Sequence, residues 1–439
     1  MVPAPITPPA GAGLHVAVVG GGIAGLCCAY YLTRAGARVT VLESNRIGSA
    51  ASSGNAGWLA PAQAGPLPEP GLTAYGLRSL VDRRSALYFS PAQLPRMLPW
   101  LAAFARRCNA RDHAAGVRAL AELGGRVFAL VDAMRADGVA MELHKQGLLV
   151  AAREPDAARR FLAGLEPMRE LGYDVPDGIL EGRALRDAEP ALGEDTRAGL
   201  RIGEHWHVLP DSLIAGLAAW LRAAGAAILE GAEVVDLETD GDAISRVRTA
   251  AGDVDADAVV LAAGAWSPRL ARLAGLRLPV QAGKGYSLSV RPSVVPRHAL
   301  LLAEPHVGCT PFGERLRVAG TMEFSGINAR LDRRRIAPIL DGARGMLAPL
   351  HPEPPRDLWT GMRPIAPDGL PIIDRAPGLS NAYVATAYSM LGMTVAAPAA
   401  EALAELVLTG RRPPLLAPFS ATRFGRVFGG GPRGIRPVS

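Results

Sequence analysis

A glycine-rich turn between two apolar runs constrains this chain more than any other feature of its sequence. The first run, 16–19, leads into the turn, and a helical pattern then extends to Arg34 before a second apolar run, 39–42, ends on Glu43. The turn has the spacing Gly-x-Gly-x-x-Gly, with Gly20, Gly22 and Gly25. Strand, tight turn, helix, strand and a terminal acid are typical of a βαβ unit that binds a dinucleotide. The pattern alone does not choose between FAD and NAD.

Composition limits the class of protein. The chain has 439 residues, of which 49% are hydrophobic and 20% are charged, so we expect a soluble globular protein with two interleaved domains. Residues 1–13 have neither the basic nor the apolar region of a signal peptide, which favours the cytoplasm. No metal site is expected either, because Cys27, Cys28, Cys108 and Cys309 lack ligand spacing and His205 and His207 lack an evident third ligand.

The positive charge is carried almost wholly by arginine. The formal net charge is +6, and lysine occurs only at positions 145 and 284. Arginines are concentrated in two stretches, 75–111 and 411–439, without interleaved aromatic residues. We therefore expect no nucleic-acid partner. Solvated helix faces explain the two stretches, and peripheral contact with the inner face of an anionic membrane is the alternative.

The order of strand and helix patterns predicts an α/β fold. After the first unit, the strands at 227–229 and 257–263 return to the same sheet, and a buried strand at 381–386 precedes a last helix. This predicts a doubly wound, Rossmann-like domain interleaved with an α+β domain built on a mostly antiparallel sheet. The expected segments are 14–75, 204–276 and 363–427 for the first domain, 76–203 and 277–362 for the second, and 428–439 for a disordered tail.

Six motifs then occur in one characteristic order. They are VVGGGIAG with VLE, SSGNAGW, LPVQAGKGYSLSV, RLRVAGTMEFSG, WTGMRPIAPDGLPIID and AYSMLGMTVA. Between residues 14 and 426 the chain thereby resembles the FAD-dependent D-amino-acid oxidase superfamily, which includes glycine and sarcosine oxidases. Within it the chain is most similar to the D-amino-acid dehydrogenases. The resemblance implies that the dinucleotide is FAD and that the second domain binds substrate.

The resemblance also assigns residues to FAD. We expect the flavin to be non-covalent, because no cysteine lies near the C-terminal flavin segment. The last helix would stabilise negative charge on the flavin through its N-terminus. The implied contacts are Gly20, Gly22, Ile23, Ala24, Gly25 and Glu43 for the ADP half; Ser53, Asn55 and Gly57 near the pyrophosphate and flavin; Val234 at adenine; Ala263, Gly264 and Trp266 on the phosphate side; and Gly392, Met393 and Thr394 at the last helix.

The substrate residues implied by the resemblance are Arg363, Tyr286 and Tyr388. Arg363 would clamp the substrate carboxylate, since a planar guanidinium meets a carboxylate bidentately and stays charged. A structural ion pair of Arg363 with Asp368 or Asp374 is the alternative. Tyr286 lines the pocket or packs in the core. Tyr388 would reach substrate or flavin through its hydroxyl, although the dehydrogenases carry Gly-His-Gly where this chain has residues 387–389.

The activity implied is the oxidative deamination of D-amino acids, with hydride transfer from Cα to flavin N5. Its partners would be an amino-acid substrate and a quinone or other electron acceptor. An oxidase or dehydrogenase of secondary amines such as sarcosine-, glycine- or proline-like substrates is the alternative, because it would use the same residues.

Overall fold

The computed structural model describes residues 13–79 and 85–425. Its strands there are β1 (His15–Val19), β2 (Arg38–Leu42), β3 (Trp58–Leu59), β4 (Leu87–Phe89), β5 (Leu143–His144), β6 (Leu148–Ala152), β7 (Leu180–Glu181), β8 (Ala198–Ile202), β9 (Trp206–Val208), β10 (Ala227–Leu229), β11 (Val234–Asp240), β12 (Ala243–Thr249), β13 (Gly252–Asp255), β14 (Ala258–Leu261), β15 (Gln281–Val290), β16 (Ala299–Leu302), β17 (Val307–Phe312), β18 (Arg315–Phe324), β19 (Arg356–Ile365), β20 (Ile372–Arg375) and β21 (Ala382–Thr386). The α-helices are α1 (Ile23–Arg34), α2 (Leu72–Ser79), α3 (Leu94–Arg107), α4 (Ala110–Gly124), α5 (Val127–Ala136), α6 (Pro155–Glu170), α7 (Gly182–Ala188), α8 (Pro210–Ala223), α9 (Ser267–Leu273), α10 (Arg333–Ala343) and α11 (Gly392–Thr409).

A six-stranded sheet in the order β10-β2-β1-β14-β21-β20 confirms the expected Rossmann-like core. Its strands run parallel except β20, which pairs antiparallel with β21. Helices α1, α8 and α11 share a buried cluster with one face, and the other face packs against the β11–β13 sheet and α9. The chain runs from β1 to β2 on one side of it and returns later in β14 on the other side. A crevice therefore opens beside the carboxyl end of β1, where α/β sheets bind ligands.

Glycine is required where the first helix meets the first strand. Gly20 has a φ of +117°, and a Cβ placed on Gly25 would lie 1.8 Å from the Gly20 carbonyl oxygen. A side chain at position 25 would therefore push α1 off the sheet. The predicted close packing of helix and strand is present.

The second large sheet is mostly antiparallel, as expected. Its order is β19-β15-β18-β17-β16-β6-β8-β7, with the short β4 pairing parallel to β18 beyond this path. Three ten-residue strands, β15, β18 and β19, form the end that reaches the crevice. A small three-stranded sheet, β3-β9-β5, joins the loop after β2 to the start of α8. The strands of the parallel sheet thus come from three separate parts of the chain, and those of the antiparallel sheet come from the segments between these parts.

Helix α8 begins at Pro210 with Leu209 at the N-cap and no side-chain cap. Proline is favourable at this first position because it lacks an N–H that would otherwise have no partner within the helix. The predicted tail at 428–439 lies outside the described residues.

Helix α11 is long and apolar enough, by length and composition, to cross a membrane. However, 72% of this 18-residue helix is buried inside the protein, where it packs against α1, α4 and α5. These contacts are those of a central core helix.

Replacing Gly25 by alanine should lower the free energy of unfolding by more than about 3 kcal/mol, because the added Cβ meets backbone that cannot move aside. Gly164 in α6 is the matched control, since nothing lies within 4 Å of a Cβ there. Gly164→Ala should raise stability by about 0.5–1 kcal/mol. Urea unfolding of both variants measures this, and a Gly25→Ala protein as stable as wild type would contradict the packing argument.

Candidate active site

A cavity of about 1130 Å³ lies between the carboxyl end of the parallel sheet and the end of the antiparallel sheet. One end is formed by the turn after β1 and by residues 262–266 after β14, on the two sides of the crevice. The other end is formed by β18, β19 and the region of α2 to α3. A site of this size and position suits a long ligand that extends from one domain to the other.

Every predicted site residue lines this cavity except Gly25 and Ser53. Gly25 is instead the packing glycine of α1. Ser53 is half-buried outside the lining, and the neighbouring Ser52 has the contact that sequence reasoning missed: its Oγ accepts a hydrogen bond of 2.9 Å from the N–H of Ile23, the first residue of α1. Ser52 thus fixes the loop to the helix N-terminus. The sequence does not distinguish the two adjacent serines, so it could not show which of them makes this contact.

The carboxylate of Glu43 ties the glycine-rich turn to the end of β2. One oxygen accepts from the N–H of Gly21 and the other from the N–H of Asn45, each at 2.8 Å. The side chain also lines the cavity, at the position where the resemblance implies contact with the ADP half of FAD. The acid also holds the turn in shape.

The loop between β2 and β3 is held by the other domain. Its consecutive carbonyls at residues 54–56 accept hydrogen bonds from Ser287 of β15, Arg317 of β18 and Thr310 of β17, in that order. The Arg317 and Thr310 bonds measure 3.1 and 2.8 Å. The antiparallel sheet thereby positions the loop that carries Asn55 and Gly57 into the cavity.

Helix α11 begins at the cavity wall. Thr394 in its first turn donates to the carbonyl of Trp58 and accepts from the N–H of Ala60. Its N-cap, Leu391, makes no side-chain cap, so backbone N–H groups of Gly392 and Met393 face the cavity lining without an internal helical partner. The helix dipole adds positive potential there, which favours a ligand that bears negative charge.

Arg363 is a cation without an anionic partner in the described part of the chain. One Nη donates to the carbonyl of Thr321 at 2.7 Å, and burial lowers the pKa of Arg363 to about 10, so the side chain stays charged near neutrality. No carboxylate of the described residues pairs with it. The alternative ion pairs are excluded, because Asp368 is bound by Arg423 at 2.6 Å and Asp374 by Arg412 at 3.5 Å.

The strands around Arg363 are shaped to hold it. A Cβ on Gly285 would lie 2.2 Å from the guanidinium, so only glycine at that position leaves room for the side chain. On the other side, a register irregularity in β18 accompanies Thr321, whose φ of 59° is left-handed. This strained residue turns its carbonyl to Arg363.

Tyr286 does not offer its hydroxyl to a substrate. Its side chain is fully buried, and the hydroxyl donates to Glu323 at 2.7 Å within a polar cluster that also holds Lys284. Residues alternate across a strand, so Lys284 and Tyr286 face away from the glycines that contact Arg363. The residue borders the cavity, but its contacts are those of a core tyrosine.

Tyr388 lines the cavity, yet its hydroxyl is buried without a hydrogen-bond partner among the described residues. Burial raises its pKa, with the thiols of Cys28 and Cys27 as further neighbours, so the hydroxyl lies toward α1. The flanking Ala387 and Ser389 have φ values of 63° and 51°. These are conformations that glycine adopts without strain, so the Gly-His-Gly pattern that the resemblance implies would fit this turn.

No group of histidine, cysteine and acidic side chains suited to a metal occurs in residues 13–79 and 85–425. His205 and His207 are buried, and desolvation lowers their pKa values to about 3 and about 4. They are therefore neutral core residues near neutral pH.

The lining fits a dinucleotide. The cavity joins two helix N-termini and contains the glycine turn and Glu43. It also includes the buried indole N–H of Trp359, which has no hydrogen-bond partner among the residues that the structure describes. Residues 15–406 match the family described as FAD dependent oxidoreductase (DAO). The chain belongs to this family. Its cofactor is FAD, which Gly20, Gly22 and Glu43 would hold at one end and the start of α11 at the other.

Similar proteins support the same assignment. A D-amino acid dehydrogenase of Rhizorhabdus wittichii is 32% identical over 91% of this chain and 97% of its own length. One from Methylobacterium radiotolerans is also 32% identical, with 91% and 97% covered. The solved glycine oxidase of Geobacillus kaustophilus has the same fold, with a TM-score of 0.72, 24% identity and coverage of 94% of this chain and 99% of its own.

Ser389→Gly should raise the free energy of unfolding by about 1 kcal/mol, because it removes the cost of a left-handed non-glycine residue. Ser49→Gly is the control: this cavity-lining serine has an ordinary backbone conformation, so glycine should be neutral or destabilising by up to about 1 kcal/mol. Thermal and urea unfolding compare the two. Equal losses at both positions would show that residue 389 is not strained.

Proposed function

We propose that this protein catalyses the oxidative deamination of D-amino acids, with Arg363 as the carboxylate clamp. The observation that carries the proposal is the buried guanidinium that lines the cavity and lacks an anionic partner in the described residues. A desolvated cation of this kind is stabilised by an anion from outside. The printed name of the two relatives, D-amino acid dehydrogenase, supports an amino acid as that anion.

The side chains mainly bind and orient. Arg363 holds the carboxylate, while Thr321 and Gly285 hold Arg363 in place. The two hydrogen bonds from the guanidinium to the carboxylate then fix the substrate Cα, and this positioning supplies much of the rate acceleration. FAD, when bound, accepts the hydride that leaves Cα. The N-terminus of α11 would stabilise the negative charge that accompanies this transfer.

We further propose a quinone or a similar acceptor rather than oxygen, and peripheral contact with the inner face of the cell membrane. The dehydrogenase name of the relatives supports the first part. For the second, helix α3 presents Leu98, which is 60% exposed, between the exposed Arg96 and Arg106. An apolar residue among cations is the surface that an anionic membrane attracts.

D-amino acids should reduce the flavin faster than their L-forms, and a soluble quinone should reoxidise it faster than air. Anaerobic stopped-flow bleaching with D-amino acids, L-amino acids, sarcosine and proline tests the first statement without any acceptor. Faster reduction by sarcosine or proline would favour the secondary-amine alternative, and equal or faster reduction by L-forms would end the proposal. Rapid peroxide formation in air would contradict the choice of acceptor.

Arg363→Ala should slow flavin reduction at low substrate by about thirtyfold to several thousandfold. Loss of a desolvated charged hydrogen-bond pair costs roughly 2–5 kcal/mol, at about 1.4 kcal/mol per decade. Arg363→Lys should recover only part of this, because an ammonium keeps the charge but not the planar fork. The bound FAD should be unaffected.

The control is Arg356→Ala on the same strand, since Arg356 is exposed and forms an ion pair with Glu353 at 3.8 Å. It should reduce its flavin like wild type. If Arg363→Ala does so too, with its FAD in place, the carboxylate is bound elsewhere.

A further inference from the structure

Beyond Arg363 the cavity extends into a part with apolar walls. We call it the aromatic arm; it is lined by Leu87, Phe89, Trp100, Leu101, Phe104 and Phe324. These residues come from β4, α3 and β18. Apart from Arg363, the charged residues of the described cavity lining are Glu43, Glu69, Glu233 and Arg269, and none of them belongs to β4, α3 or β18.

Strand register makes this face of the sheet apolar. Met322 of β18 pairs with Leu87 of β4, and Phe324 pairs with Phe89, so these four side chains point to one face. Glu323 lies between Met322 and Phe324 and faces the opposite side, where it accepts the hydroxyl of Tyr286. The polar residues of these strands are thus turned away from the arm.

The arm begins directly at the proposed carboxylate clamp. The sulfur of Met322 lies 3.7 Å from an Nη of Arg363. From the other side, the indole N–H of Trp100 donates to the carbonyl of Ile365, two residues after Arg363, at 3.2 Å. A ligand whose carboxylate binds Arg363 therefore has its remaining atoms beside these apolar walls.

The walls are packed against each other. The rings of Phe89 and Phe324 are stacked with centroids 5.1 Å apart, and those of Trp100 and Phe104 with centroids 5.0 Å apart. The Trp100 ring also contacts that of Phe324 at 5.8 Å. Mutual packing of this kind fixes the shape of the arm before a ligand enters.

We infer that the substrate carries a large apolar side chain, which the aromatic arm binds. The inference rests on the proposed function, because it takes Arg363 as the site of the substrate carboxylate. Each methylene buried there adds binding energy, whereas a charged side chain would leave water for walls that offer it no partner. A substrate as small as glycine or alanine would leave the arm unfilled. The protein should therefore select D-leucine, D-methionine and D-phenylalanine over D-alanine, D-glutamate and D-lysine.

Anaerobic flavin reduction across these six amino acids tests the selection. The ratio of the reduction rate constant to the dissociation constant should be at least about tenfold higher for the apolar group than for D-alanine, and higher still against the charged pair. Equal or better reduction by D-alanine, D-glutamate or D-lysine overturns the inference and leaves the proposed function standing.

If no amino acid reduces the flavin, the proposed function fails. The binding of unreactive carboxylates then tests the aromatic arm separately. Acetate, hexanoate and phenylacetate are titrated against the holoenzyme, with the flavin absorbance spectrum as the readout of binding. Hexanoate and phenylacetate should bind at least about tenfold more tightly than acetate. Equal affinities would show that the arm does not bind an apolar group beside Arg363.

Two lysine substitutions on α3 locate the effect. Leu101→Lys places a charge in the arm and should reduce the preference for D-leucine over D-alanine about tenfold or more, while D-glutamate improves. Leu98→Lys, three residues earlier and 60% exposed outside the cavity, should leave the preference unchanged. FAD content and thermal unfolding verify that both variants are folded. A folded Leu101→Lys protein with wild-type selectivity overturns the assignment of the arm.

Discussion

The guanidinium of Arg363 is the constraint on which the active site depends. Placing a charge in a desolvated position costs free energy unless an opposite charge or several hydrogen bonds compensate it. Here the protein supplies one carbonyl, that of Thr321, and no carboxylate from the described residues. The nearby acids Asp368 and Asp374 are already engaged by other arginines. The remaining compensation is left to a bound ligand, which supports the proposed binding of an anion at this position.

The two domains are interdependent at the cavity. The parallel sheet supplies the glycine turn and the start of α11, but the loop between β2 and β3 obtains its shape from hydrogen bonds to three strands of the antiparallel sheet. That antiparallel sheet also carries Arg363. A shift of one sheet against the other would therefore move Arg363 and this loop together. In the proposed function, this coupling would keep substrate and cofactor at the constant distance that hydride transfer over a few ångströms requires.

Sequence reasoning placed residues at the cavity where their position follows from local pattern. The glycine spacing and Glu43 lie within one βαβ unit, so their geometry is encoded within about thirty residues. Arg363 could be placed at the cavity because its motif marks one strand end. Ser52 was missed because its contact depends on how a long loop folds back on α1. The orientation of Tyr286 depends on strand register, and the bulge at Thr321 that turns a carbonyl to Arg363 has no residue pattern of its own.

Backbone strain is concentrated around this site. His306, Thr321 and Ser389 all line the cavity, and each has a left-handed conformation that costs a non-glycine residue about 1–2 kcal/mol. At Ser389 the strain is maintained by a hydrogen bond of 2.8 Å from its N–H to the carbonyl of Pro364, the residue after Arg363. The path of this turn is thus set by tertiary contacts. Because the turn leads directly into α11, the same contact that strains Ser389 joins the strand of Arg363 to the helix N-terminus at the cavity wall. The strain is retained because relaxing it would separate these two groups.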